Sequence, residues 1–194
     1  VFPLEVSWTT DLGLAPTAPP SFDDVHAYIP LRNGTLTAVR LIDGSQLWTV
    51  ERPTPFSPAA GWETVIVATD ETLTAVWKEN GLVRWSIKTG TTISARPIWV
   101  KGWLIVLLVN GDIVTFRGVD GKELWRLSLG GSLIVPPAVG GADLFVPVAD
   151  GRIVAIDLES GRQLWELKLG GSPQEILALD ALFVGTTDNY FYRL

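Results

Sequence analysis

The stretch Ala155-Ile156-Asp157-Leu158-Glu159-Ser160-Gly161-Arg162-Gln163-Leu164-Trp165 decides the reading, because its ending recurs along the chain. Asp43–Trp48 reads DGSQLW, Asn80–Trp85 reads NGLVRW, Asp120–Trp125 reads DGKELW and Ser160–Trp165 reads SGRQLW. In each, a glycine (Gly44, Gly81, Gly121, Gly161) stands four positions before a tryptophan (Trp48, Trp85, Trp125, Trp165). Trp8 precedes them, and the spacings from Trp8 onward are 40, 37, 40 and 40. A steady period of this size marks a repeat architecture, in which each unit buries its apolar face against its neighbours.

Working backwards from each glycine, the same landmarks return. Short apolar runs lie upstream: Leu36–Val39, Leu73–Val76, Ile113–Phe116, Ile153–Ile156 and, in a fifth unit, Phe191–Leu194. Before them stand tight-turn dipeptides at Asn33-Gly34, Asn110-Gly111 and Asp150-Gly151, whose residues tolerate positive φ. Asp70-Glu71 and Asp188-Asn189 hold the same place. Further upstream, Val25–Leu31, Thr64–Thr69, Trp103–Val109, Leu144–Ala149 and Leu182–Thr187 read as strands buried on both faces. Pro-bearing stretches at Pro19-Pro20, Pro58, Pro97 and Pro136-Pro137 begin each unit, and a missing ladder donor confines such strands to an edge or a bulge.

Four short strands joined by hairpins, repeated about every 40 residues, form the sequence signature of a β-propeller blade. With strands lettered A to D from inner to outer, the blades fall at approximately 14–52, 53–89, 90–129 and 130–169. A fifth, 170–194, supplies strands A to C. Leu4–Leu12 contains Trp8 and runs into Leu12-Gly13, as Trp125 runs into Leu129-Gly130. It is expected to supply the fifth strand D, closing a single domain of five blades and hiding two sheet edges. The alternative is a fragment of a larger propeller.

Composition removes several function classes. The 194 residues carry 15 basic and 21 acidic side chains, a net charge of -6 that argues against a nucleic-acid partner. The absence of cysteine removes disulfides, thiolate metal sites and cysteine nucleophiles. One histidine, His26, excludes multi-histidine zinc sites. No apolar run reaches the roughly 18 residues of a membrane-spanning helix. At 47% hydrophobic residues the chain can bury a large core. It opens on Val1 without a signal-peptide pattern, so a mature, excised or trimmed chain is expected.

The Gly-x-x-x-Trp ending, preceded by an aliphatic strand and Ala-x-Asp as at Ala155–Asp157, resembles the quinoprotein-type (PQQ-like) propeller repeat. That repeat is shared by quinone-dependent dehydrogenases, an outer-membrane assembly lipoprotein and many sensor or scaffold domains. The resemblance implies a propeller fold and, by analogy with the lipoprotein, a bacterial envelope setting. The dehydrogenases are similar to eight-bladed discs with quinone and calcium at the centre. Here the motif aspartate is Asp157 in one unit but Arg40, Trp77 and Arg117 in the others, and a five-bladed centre is narrow for a quinone.

Candidate residues divide accordingly. Trp8, Trp48, Trp85, Trp125 and Trp165 are expected to dock between blades, each burying about 150–250 Å² as aromatic side chains do. Trp62, Trp77, Trp99 and Trp103 lie outside the register, with Trp99 and Trp103 flanking an A–B turn. His26 beside Asp23 and Asp24 has the makings of a general base, but no serine nucleophile accompanies it, and a structural histidine is expected. Most acids occupy hairpin turns, where they bond the local backbone. Arg96 and Glu175 are the two charges expected on inner strands, where sister blades carry proline or an apolar residue. They are the expected funnel-binding pair.

The expectation is an all-β scaffold that binds a protein or peptide through a face or the central funnel. No catalytic residue, cofactor or metal site is expected, calcium included. A monomer is expected, with dimerisation or β-augmentation open to an uncovered blade edge. Two alternatives stay open. One is a carbohydrate-active hydrolase, which needs two funnel carboxylates about 5–10 Å apart. The other is a dissected or engineered repeat array with no evolved ligand.

Overall fold

The computed structural model describes residues 5–133 and 135–194, and these contain strands and turns but no helix. Two compact units divide at Thr89/Gly90.

The first unit holds two four-stranded meanders. One comprises β1 (Ser21–Phe22), β2 (His26–Pro30), β3 (Thr35–Arg40) and β4 (Gln46–Glu51). The other comprises β5 (Ala59–Ala60), β6 (Thr64–Thr69), β7 (Thr72–Trp77) and β8 (Val83–Lys88). The second unit holds three sheets. They are β9 (Ile98–Val100), β10 (Trp103–Leu107), β11 (Asp112–Arg117) and β12 (Glu123–Ser128); then β13 (Ala138–Gly140), β14 (Asp143–Pro147), β15 (Arg152–Asp157) and β16 (Gln163–Lys168); then β17 (Pro173–Ala178), β18 (Leu182–Thr186) and β19 (Phe191–Arg193). Every neighbour is antiparallel, so each sheet is the blade-type meander that the repeat implies.

The prolines sit differently from the expectation. Pro20, Pro58, Pro97 and Pro137 precede β1, β5, β9 and β13, which are only two or three residues long. A residue without an N–H stands just outside the ladder it cannot join. Arg96 is therefore not on an inner strand, since β9 begins at Ile98. Glu175 does lie on β17.

Middle strands are covered on both faces, whereas outer strands are largely exposed. In the first unit Tyr28, Leu36, Ala38 and Trp48 of one sheet meet Val65, Val67 and Val76 of the next. In the second, Ile105, Leu107 and Ile113 meet Leu144, Val146, Val154 and Ile156. Each such aliphatic side chain stabilises the fold by about 1.5–3 kcal/mol relative to exposure.

The tryptophans are placed by a shared irregularity. All four outer strands carry a register shift beside the tryptophan, after the pairs Ala38↔Trp48, Ala75↔Trp85, Thr115↔Trp125 and Ala155↔Trp165. The bulge re-aims the indole, and the residue opposite is small and fully buried in every case.

The indole then crosses to the following sheet. Trp48 Nε1 donates to the Lys78 carbonyl at 2.7 Å, Trp125 Nε1 to the Leu158 carbonyl at 3.0 Å, and Trp8 Nε1 to the Leu41 carbonyl at 2.9 Å. Beneath each ring lies the motif glycine of that following sheet. A Cβ on Gly161 would stand 2.5 Å from the Trp125 ring, and one on Gly81 2.9 Å from the Trp48 ring; Gly44 is equally close to Trp8. The glycines also have φ of 70–71°, a left-handed conformation that penalises a side chain. Glycine and tryptophan of the motif thus belong to one contact, but the contact joins successive repeats rather than the ends of one hairpin.

The fifth sheet has three strands. The expected fourth, 4–12, begins at Leu4, outside the described residues, and residues 5–12 belong to no strand. Trp165, expected between blades, is 40% exposed, against 9% for Trp48.

Candidate functional site

Arg96 and Glu175, which sequence reading singled out, line one cleft of about 530 Å³ in the second unit. The inner strand β17 brings Glu175 there, with a register shift between Pro173 and Glu175 that makes room for Gln174. The Pro136-Pro137 pair ahead of β13 forms another wall. Both charges are exposed, and neither forms an ion pair among the described residues.

Most of the cleft is apolar, and that part was not foreseen. Alternation along β17–β19 puts Val184 and Tyr192 towards the fourth sheet, where they pack with Ile153 and Phe145. Leu177, Phe183 and Phe191 fall on the opposite face. Phe183 and Phe191 stack with centroids 5.9 Å apart and planes inclined by 19°. Phe191 is 73% exposed and Leu177 53%. An aromatic stack whose outer ring, Phe191, is left to water, with one cation and one carboxylate beside it, has the chemistry of a binding surface. The period-2 pattern of the three strands carries this face, but the sequence reading expected the fifth unit to be covered by closure of the ring and did not single it out.

The histidine cluster serves a different purpose. Asp23 accepts hydrogen bonds from Lys78 Nζ at 2.6 Å, the Tyr28 hydroxyl at 2.9 Å, and the N–H groups of Val25 and His26 at 2.9 and 2.8 Å. His26 Nδ1 lies 3.5 Å from the same carboxylate. Burial pushes the Asp23 carboxyl up, but the Lys78 ammonium and the other donors outweigh it and hold the group well below the carboxylate range. Burial, the bond to Asp23 and its charge push the Tyr28 phenol up, so it stays protonated. With its carboxylate saturated, the cluster is a polar latch joining the first two sheets, not a base poised for a substrate.

Turn acids act locally, as expected. Asp43 accepts from the Ser45 N–H at 2.9 Å and Asp157 from the Ser160 N–H at 2.8 Å. Of the remaining tryptophans, Trp77 lies 4.3 Å under the Arg84 guanidinium, and Trp99 covers Gly118, where no Cβ would fit.

The cleft offers one carboxylate, Glu175, where glycoside hydrolysis needs two. Among the described residues no cluster of three or more His, Cys, Asp or Glu could hold a metal ion, so the donors do not fit the calcium that accompanies a dehydrogenase-type quinone. No helix among them is long and apolar enough to cross a membrane.

Comparison with known proteins agrees with the repeat. A family model described as outer membrane protein assembly factor BamB matches residues 5–98 and again 70–191. BamB of Yersinia pestis is 28% identical, over 65% of this chain and 37% of that protein. The crystal structure of BamB from Moraxella catarrhalis superposes with a TM-score of 0.73 at 18% identity, over 96% of this chain and 63% of that one. A quinohemoprotein alcohol dehydrogenase from Pseudomonas putida gives 0.76 at 16% identity, over 98% of this chain and 42% of that one. At such identities the two structures speak for the fold alone. The chain spans 37% of the length of the curated BamB proteins it matches. With the family model matching nearly its whole length, the chain belongs to the BamB family of PQQ-like propeller-repeat proteins.

Proposed function

We propose that the chain is a non-catalytic interaction scaffold in bacterial outer membrane assembly, holding an extended protein segment in the cleft of the fifth sheet. The observation that carries this reading is the Phe183–Phe191 stack, with Phe191 exposed, flanked by Arg96 and Glu175. The relatives named as assembly factors support the setting. An extended segment with alternating apolar residues presents one apolar edge to such a face, and an acid and a base near its ends match the two charges.

The test is fluorescence anisotropy with labelled strand-forming peptides that vary only in their end charges. Arg96→Glu or Glu175→Lys should weaken the acid–base peptide about tenfold, equivalent to about 1.4 kcal/mol. Phe191→Ala should weaken every peptide. Equal binding by all three variants would remove this cleft as the site.

A further inference from the structure

Asn33, Asn80 and Asn110 each precede a glycine. Glycine puts no side chain over its own N–H, so that nitrogen can reach the amide carbon of the asparagine before it and close a five-membered imide. How readily this happens depends on what activates the amide and what confines the glycine. In each of the three turns the glycine N–H bonds a carbonyl, of Leu31, Trp77 and Leu108, at 2.8–3.0 Å, so breaking that bond is a barrier common to all. The turns differ in the rest.

Asn33 is exposed on the turn between β2 and β3. Its Oδ1 accepts from the Thr35 N–H at 3.1 Å and from the Thr35 hydroxyl at 2.7 Å. Two donors on one carbonyl oxygen draw charge from its carbon and stabilise the oxyanion that forms on attack. Nδ2, the group that must leave, has no partner among the described residues. Arg32 is its neighbour in the chain, and the Arg52 N–H bonds the Gly34 carbonyl at 2.9 Å. Neither arginine forms an ion pair among the described residues, so their charge favours the anions formed on the way.

At Asn80 and Asn110 the Oδ1 accepts one N–H each, from Leu82 at 2.9 Å and Asp112 at 3.2 Å. Asn110 Nδ2 is also tied to the Asp112 carboxylate at 3.0 Å, and that anion opposes a second negative charge beside it. Both glycines are confined. A Cβ on Gly81 would stand 2.9 Å from the Trp48 ring, and one on Gly111 would stand 2.6 Å from the Gly131 carbonyl oxygen. A Cβ on Gly34 would meet Pro53 alone, no nearer than 3.3 Å.

We propose that Asn33 is a self-modification site of this chain, deamidating through the Gly34 nitrogen ahead of Asn80 and Asn110. Solvent base takes the Gly34 N–H proton, the nitrogen bonds to Asn33 Cγ, the Cγ–Nδ2 bond breaks, and Nδ2 leaves as ammonia with a proton from water. Water then opens the imide at one of its two carbonyls and leaves a carboxylate, one further negative charge. Opening at one carbonyl gives an aspartate, which the sister turn already carries as Asp150 with its Oδ1 bonded to the Arg152 N–H at 3.1 Å. Opening at the other lengthens the backbone by a methylene and moves Gly34 away from Pro53 and Arg52. The reaction needs no partner and does not depend on the cleft of the fifth sheet.

The experiment incubates the full chain in mildly alkaline buffer and follows each asparagine by peptide mapping with mass spectrometry. In the folded chain Asn33 should deamidate at least about fivefold faster than Asn80 or Asn110. In concentrated urea, where the turns are lost, the three rates should converge to within about twofold. Thr35→Val keeps the N–H donor and removes the hydroxyl, and should slow Asn33 at least about threefold; Thr35→Ser should restore the rate to within about twofold. Equal rates at the three sites in the folded chain, the same ranking in urea, or an unchanged rate in Thr35→Val would overturn the proposal.

Discussion

Replacing Gly161 with alanine separates backbone strain from the interblade contact. Gly161 has φ of +71°, and its Cβ would lie 2.5 Å from the Trp125 ring, well inside contact distance. Gly141 in the same unit has φ of +66° with nothing within 4 Å of its Cβ. Both substitutions incur about 1–2 kcal/mol for a left-handed alanine. Only Gly161→Ala must also displace an indole. Overpacking of that kind costs about 1–3 kcal/mol, and the 3.0 Å bond to the Leu158 carbonyl, about 1 kcal/mol, is lost if the ring tilts. Gly161→Ala should therefore cost about 2–5 kcal/mol and Gly141→Ala about 1–2 kcal/mol. Urea denaturation followed by near-ultraviolet circular dichroism measures both. Combining Gly161→Ala with Trp125→Ala should recover at least about 1 kcal/mol as coupling, because alanine at 125 leaves nothing to collide with. A Gly161→Ala cost within about 0.5 kcal/mol of Gly141→Ala, with no coupling, would refute the shared-contact reasoning.

Trp48→Ala should destabilise by about 3–5 kcal/mol, since its ring is 9% exposed and its N–H is bonded. Trp165→Ala should cost less than half as much, and thermal melts of the two variants decide the order. Asp23→Asn should cost about 1–2 kcal/mol at neutral pH, after allowing for the latch's partial solvent access. Because the folded Asp23 carboxyl is held below its unfolded value of about 3.9, its stabilisation is complete above that pH and is lost as pH falls through the folded value. Denaturation curves from pH 7 to pH 2 should thus show a constant gap between wild type and Asp23→Asn above about pH 4 and a narrowing gap below it. Arg40→Ala, at an exposed turn pair with Asp43, should change stability by less than about 0.5 kcal/mol by the same method.

Much of the architecture is legible in the sequence because it is written periodically. Turn dipeptides, buried runs and Gly-Trp endings each map to a strand or hairpin, and the acids of the turns bond the backbone beside them. Contacts between repeats are not written that way. The pairing of Gly161 with Trp125, or of Asp23 with Lys78, joins residues 36 or 55 positions apart, and local spacing carries no record of it. The register shift beside each tryptophan leaves no turn residue to announce it. Arg96 and Glu175 stood out because a charge interrupted an otherwise apolar position, and both do reach one cleft. The Phe183–Phe191 face escaped notice because phenylalanine in a strand ordinarily signals core. Among the described residues Phe191 is nonetheless exposed.

Hydrogen–deuterium exchange, with and without the acid–base strand peptide, tests the scaffold reading most directly. Protection should rise at Gln174–Leu179 and around Phe183 and Phe191, while β2, β3, β6 and β7 of the first unit stay unchanged. Unchanged exchange along β17 and β18 at saturating peptide, or protection confined to the first unit, would contradict it.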